Sequence, residues 1–257
     1  MPASQPIRTQ SERADHTRAR ILDAAIHEFS VNGLAGARTE QIAEAAGVNK
    51  ALLYYYFKGK EALYTAALES VAEGVRASSM AVLETDATAG ERFLKSALDH
   101  FDRIYTNRGF QSMMQQEMVR LHRGEPNALT PLVEKVFRPM MARMQQVLEE
   151  GVARGELIAV EPSQIRYAAL GANIFYFLSA PLMRLPLGAD LLDREALKFR
   201  RKATIEFLGQ SLFLDREQGA RVAARVLAAT PMPEHTESKL KAAPEGRAIK
   251  IEEVRHL

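Results

Sequence analysis

Residues 39–60 read TEQIAEAAGVNKALLYYYFKGK, and this stretch decides the fold. Ile42, Ala43 and Ala46 share one face of a short helix, and Gly47 then supplies a turn that residues with a Cβ resist. Thr39 is expected to N-cap this helix and Asn49 the next, because their side-chain oxygens can accept from the free amide hydrogens of a first turn. Lys50 to Phe57 form the second helix, with Leu53 and Phe57 as an i, i+4 core pair. The other positions, Lys50, Ala51, Leu52, Tyr54, Tyr55 and Tyr56, cannot all be buried against two short helices. Phenol hydroxyls and ammonium groups facing outwards suit a phosphate-lined groove. Two short helices, a glycine turn and a basic second helix make the layout of a helix-turn-helix, whose second helix enters the DNA major groove.

Upstream, Ile21, Ala25 and Phe29 recur at i, i+4, i+8, with Leu22 and Ile26 widening the stripe. This predicts a helix from about Asp15 to Asn32, closed by Gly33. Downstream, Lys58-Gly59-Lys60-Glu61 opens a further helix whose free N-terminus, with Lys60, favours an anion. The string Thr39-x-x-Ile42-Ala43-x-x-Ala46-Gly47-Val48-x-Lys50-x-x-Leu53-Tyr54-x-Tyr56-Phe57-x-x-Lys60-x-x-Leu63 resembles the DNA-binding domain of the TetR/AcrR family of transcriptional repressors. The resemblance implies an all-α protein: a three-helix DNA-binding domain over residues 15–75, with its helix-turn-helix at about 38–57, and a larger helical ligand-binding and dimerisation domain over 76–229. It also implies that Thr39 contacts phosphate, that Lys50, Ala51 and Leu52 lie toward the bases, that Tyr54, Tyr55 and Tyr56 divide between phosphate contacts and packing, and that Lys60 holds phosphate. Two positions depart from the family pattern. Leu52 stands where threonine is common, which offers an apolar contact such as a thymine methyl. Glu40 stands where some members carry a base-contacting arginine, so the first helix of the motif is expected to read few bases.

The chain has 257 residues, of which 47% are apolar, enough for a sizeable core. Net charge is only +2, and residues 1–60 hold eight Lys/Arg against six Asp/Glu, so DNA affinity must come from placement and not bulk charge. Residues 1–14 read as a flexible arm, and Arg8, Arg13, Arg18 and Arg20 mark the N-terminal region as basic. There is no cysteine, which fits a reducing cytoplasm. The N-terminus lacks the apolar segment of a signal peptide. The longest apolar stretch, Ala168–Met183, has roughly sixteen residues against the ~20 that span a bilayer, so a buried helix and no membrane are expected. Residues 230–257 have the composition of a disordered tail.

Everything after residue 60 reads helical, and no window alternates with period two. The periodicity predicts a connector over Lys60–Leu83, then helices at about Gly90–Thr106, Phe110–His122 and Ala128–Arg154, the last kinked by Pro139. Ser163 is expected to cap Gln164–Leu182, closed by Pro181 and Pro186, while Asp193 and Asp215 cap two further helices. The helix over Gln164–Leu182 is apolar nearly all round and that over Arg194–Phe213 carries many large apolar residues, which invites burial against a second copy. The resemblance implies the same, with Tyr167, Gly171, Phe175, Leu178, Phe207 and Ser211 in a dimer interface and Gly171 and Gly209 permitting close approach.

A methionine-rich pair of helices suggests an adaptable apolar ligand cavity. Its expected lining is His100, Tyr105, Met113, Gln116, Glu117 and Met118, with Arg120, Phe137, Met141, Asn173 and Tyr176 beside them. The six histidines show no metal-ligand spacing, and no Walker loop, GxGxxG or cysteine nucleophile is present. His100, between Asp99 and Asp102, reads as a solvated helix face. No cofactor, metal or catalytic residue is expected. The reading is a cytoplasmic homodimeric repressor, released from a palindromic double-stranded operator by a small, largely apolar effector. Alternatives are a regulator or activator controlled by a protein partner and, remotely, a helical enzyme.

Overall fold

The computed structural model describes residues 10–188 and 190–234, and among them the chain is helical with no strand. It divides into two compact units, residues 1–75 with 107–137 and residues 76–106 with 138–257.

The first unit begins with α1, Gln10–Gly36, so residues 10–14 are helical and not part of an arm, while residues 1–9 lie outside the described residues. Gly33, at φ 65° and ψ 177°, breaks the helical path inside α1, which ends the regular helix where the sequence placed a cap. α2, Thr39–Ala45, and α3, Lys50–Tyr56, follow, and α4 runs over Lys60–Leu83. Ile21, Phe29, Ile42, Leu53, Phe57 and Leu68 are buried together, so the periodic apolar positions of the motif form one core. Tyr64 joins them and meets Phe29 edge-on, ring centroids 4.9 Å apart. α6, Arg108–His122, packs on α1, where Ser112 Oγ donates to the Ser30 carbonyl at 3.0 Å.

A single helix over 128–154 was expected. Instead a short α7, Leu129–Leu132, passes through a wide π-helical turn, Val133–Phe137, into α8, Arg138–Ala153. Pro139 explains the widening: it has no N–H for the carbonyl four residues back, and its ring crowds that carbonyl.

In the second unit, α5, Ala89–Thr106, packs against α8 and the last three helices: α9 (Pro162–Leu187), α10 (Arg194–Leu212) and α11 (Arg216–Ala229). Phe93, Leu94, Leu98, Val147, Ile205 and Val226 form its main core. α9 corrects the sequence reading at both ends: Glu161 caps it through Gln164 N in place of Ser163, and it continues through Pro181 and Pro186 to a left-handed Gly188. Pro162–Pro186 is therefore long and apolar enough, by length and composition, to cross a membrane, and only 17% of its apolar window is buried within the chain, where a buried helix was expected. Gly209 is corrected too. An added Cβ there would lie 2.7 Å from the Gly219 carbonyl, so its close approach is to α11 of the same chain. The tail from residue 235 lies outside the described residues.

Candidate nucleic-acid interface

Four contacts and a glycine set the helix-turn-helix. Asn49 Oδ1 accepts from Leu52 N at 2.7 Å, the cap expected from the sequence. Gly47 has φ 63°, and a Cβ there would stand 2.7 Å from the Arg20 guanidinium. Arg20, on α1, donates to the carbonyls of Ala46 and, at 3.1 Å, Gly47, while Arg18 lies 5.3 Å over the Phe57 ring. Both arginines thus clamp the motif from behind, a role the sequence concealed because Arg20 and its partners stand 26 and 27 positions apart.

Thr39 is not the cap. Arg38 holds that position, and Thr39 is the first residue of α2, buried, with its hydroxyl 3.2 Å from the Tyr54 hydroxyl. The helix starts at its expected cap, one residue earlier than the sequence suggested, which turns the threonine inward. Lys50 and Ala51 are exposed, Leu52 and Tyr56 half-buried, and Tyr54 and Tyr55 open to solvent, Tyr55 at 80%. Tyr55 and Tyr56 meet edge-on with centroids 5.5 Å apart. Lys60 Nζ donates to the Ala35 carbonyl at 3.0 Å, which holds the amine at the start of α4. Lys50 pairs with Glu40. The hydrogen bond to Lys50 and its charge hold the Glu40 carboxyl below the usual carboxylate range, and the carboxylate holds the ammonium correspondingly up.

The residues expected to line a ligand cavity fall into both units. In the first unit Met113 and Glu117 are fully buried and Met118 is exposed. Glu117 is satisfied within the fold, accepting from Ala128 N at 2.5 Å and from Arg120 at 2.8 Å. Burial and the Glu117 charge push the Tyr64 hydroxyl far up. Gln116 and Arg120 line a groove of about 940 Å³, with Asn32, Lys60 and Ser112. Phe137 packs against the core of this unit.

In the second unit, Tyr105 and Tyr176 join one apolar cluster with Phe101 and Leu197, and Met141 is exposed. His100 is not on a solvated face. Its Nδ1 lies 3.4 Å from Asn173 Nδ2, and burial, then the Arg103 charge, push its imidazole down to about 4. Its acidic neighbours face other partners: Asp99 takes Ser78 and Arg103, and Asp102 takes Arg201 through two 2.8 Å bonds. Asn173 is fully buried and donates to the Ala97 carbonyl at 3.3 Å, while its Oδ1 has no partner among the described residues. An apolar cleft of about 450 Å³, walled by Leu148, Val152, Leu157, Val160, Ile165 and Leu212, lies where no expected ligand residue stands. The expected interface residues are open: Tyr167, Phe175, Leu178, Phe207 and Ser211 are exposed, and a Cβ on Gly171 would meet nothing within 4 Å.

An exposed, tyrosine-rich recognition helix on a clamped turn, joined to a second helical unit, defines a helix-turn-helix DNA-binding protein. The model of the bacterial regulatory proteins of the tetR family matches residues 21–67, and that of the tetracyclin repressor-like C-terminal domain matches residues 92–208. The chain belongs to the tetR family of bacterial regulatory proteins. It is a DNA-binding transcriptional regulator and not an enzyme. It is 27% identical over 191 residues to the HTH-type transcriptional repressor NicS of Pseudomonas putida, covering 73% of this chain and 88% of NicS. It is 28% identical over 192 residues to the HTH-type transcriptional regulator RutR of Escherichia coli K12, covering 73% of this chain and 87% of RutR. The structure of the transcriptional regulator FadR from Bacillus subtilis, in complex with stearoyl-CoA, shares the fold with a TM-score of 0.58 at 19% identity, over 74% of this chain and 96% of FadR.

Proposed function

We propose that the protein is a cytoplasmic repressor that binds a palindromic operator as a homodimer and leaves it when a small, largely apolar effector binds. The observation that carries the dimer is the open apolar face of α9 and α10, on which Phe175 and Phe207 are each 67% exposed. Exposed apolar area on this scale marks an interaction surface, and a two-fold dimer presents two recognition helices to a palindrome. On DNA, Lys50, Ala51 and Leu52 face the bases. Thr39, Tyr54, Tyr55, Tyr56 and Lys60 serve the phosphates, with Thr39 and Tyr56 acting partly through packing.

A repressor direction is supported by the likeness to NicS. FadR was solved with stearoyl-CoA, so this fold can hold a largely apolar ligand. In the second unit, the lone acceptor of Asn173, beside neutral His100 and the Tyr105–Tyr176 cluster, offers such a ligand one polar anchor. Effector binding shifts the dimer only by its differential affinity for the bound and released states.

The test is selection of duplexes from random DNA, followed by a screen of small apolar compounds for release of the selected duplex. A palindrome with half-sites about one helical turn apart is expected. Asn173→Leu is expected to keep DNA affinity and to weaken effector-driven release about tenfold, the size of one buried hydrogen bond. Release unchanged in that variant would move the effector elsewhere.

A further inference from the structure

The reading head carries an acid where DNA-facing surfaces carry bases. Glu40, on α2, and Lys50, on α3, hold one another across the turn, and their side chains are still 63% and 50% exposed. The Glu40 carboxylate also accepts from Thr39 Oγ1 at 3.4 Å, and Thr39 Oγ1 lies 3.2 Å from the Tyr54 hydroxyl. Lys50 Nζ sits 5.7 Å from the Tyr54 ring centre. The pair is therefore held at both ends by neighbours on α2 and α3. An ammonium has three donors and a carboxylate about four acceptor sites, so each partner keeps hydrogen-bonding capacity after the pair has formed.

A carboxylate near phosphates is repelled by them, so its place on this surface calls for a hydrogen-bond donor on the DNA. In the major groove the amino group on cytosine N4 is such a donor, and carboxylates accept from it. Guanine presents two adjacent acceptors, O6 and N7, which lysine binds together. These three atoms form the major-groove edge of one base pair. Resting on the reading that α3 enters the major groove, we propose that Glu40 and Lys50 act as a single reader of a G·C pair, Lys50 donating to guanine O6 and N7 and Glu40 accepting from cytosine N4. An A·T pair answers this arrangement less well, because adenine places a donor, N6, where Lys50 needs its second acceptor. Glu40 is thus a specificity residue at a position where the sequence alone argued for few base contacts.

The experiment compares the full-length protein with Glu40→Ala and Lys50→Ala. Each is used to select duplexes, and each is then titrated with the selected operator carrying all four base pairs at every half-site position. Surface ion pairs add little stability, so both variants should melt with the parent, as thermal unfolding will verify. The parent is expected to require G·C at one position of each half-site. Both variants are expected to lose at least about fivefold of the preference at that same position and to keep the others. The double variant should lose no more than either single one, since the pair acts as a unit. Lys60→Ala serves as the contrast, lowering affinity for all sequences alike. The proposal is overturned if Glu40→Ala raises affinity uniformly with preference unchanged, which would make the carboxylate a mere neutraliser of Lys50. It is overturned equally if the two variants affect different positions or an A·T pair. Failure of the parent itself to enrich any sequence would remove the DNA-reading premise, an outcome distinct from those two.

Discussion

Arg20 shows what a single residue does for the motif. Its guanidinium satisfies two turn carbonyls at Ala46 and Gly47 and fixes the angle between α2 and α3. Arg20→Ala is expected to cost about 1 kcal/mol, given that the bonds are charge-assisted but solvent-facing, and to weaken operator binding on every sequence; thermal melts and titrations on two unrelated duplexes would check both. The caps at Asn49, Asp193 and Asp215 were legible because a cap is local, a side chain meeting amides two or three residues on. Arg20 was not, because its partners are distant in sequence, and Thr39 was misjudged by the one-residue shift that local patterns cannot fix. His100 adds a pH dependence. Its ordinary value of 6.5 falls to about 4 in the fold, so between these values the unfolded chain takes up a proton that the folded one refuses. Its contribution is complete above about pH 6.5 and is lost as pH falls toward 4, about 3 kcal/mol in all at ~1.4 per unit. Asp102, raised by burial, acts in the opposite sense. Urea unfolding of the parent and His100→Asn at pH 7 and pH 4.5 separates the two, and the variant should show the shallower acid loss.

At the scale of elements, the helical fold was readable from apolar periodicity, and the boundaries failed where proline and glycine decide them. Proline in sequence suggests an end to α9, yet Pro181 and Pro186 both lie inside it. A helix loses one internal hydrogen bond per proline and can keep its course where packing or solvent meets the freed carbonyl. Pro139 instead altered the turn before it, giving Val133–Phe137 its wide form. Gly209 of α10 was expected to approach a second copy, because a small residue announces a close approach without saying to what. A Cβ on Gly219 would come within 2.0 Å of the Gly209 carbonyl, so α10 and α11 touch through their backbones. Gly219→Ala must force them apart and should lower stability by about 1–3 kcal/mol, the usual cost of overpacking. Gly171→Ala, with open space around it inside α9, should raise the stability of a single chain by about 0.5–1 kcal/mol through helix propensity. Chemical denaturation of the two variants side by side is the measurement.

For the molecule as a whole, the candidate site was legible in part. The helix-turn-helix itself was readable because its motif is contiguous, whereas the residues proposed for the effector were chosen by type from several helices. They proved to be divided between two units, some as satisfied core, like Glu117, and some exposed, like Met118 and Met141. The open face of α9 and α10 is a different matter, since its apolar residues are visible and unburied. A helix with Tyr167, Phe175 and Leu178 exposed is poorly matched to water, and α10 continues the surface with Phe207. If a second copy covers this face, a charge placed there opposes association without touching the core of either unit. Phe175→Glu with Phe207→Glu is expected to sediment as a monomer at concentrations where the parent is a dimer. Its unfolding should stay within about 0.5 kcal/mol of the parent monomer, as surface substitutions usually do. Operator affinity should then collapse toward that of a single half-site, because two recognition helices no longer bind as one body. A double variant that remained dimeric would place the interface on another surface, and one that became monomeric with full operator affinity would separate dimerisation from DNA reading.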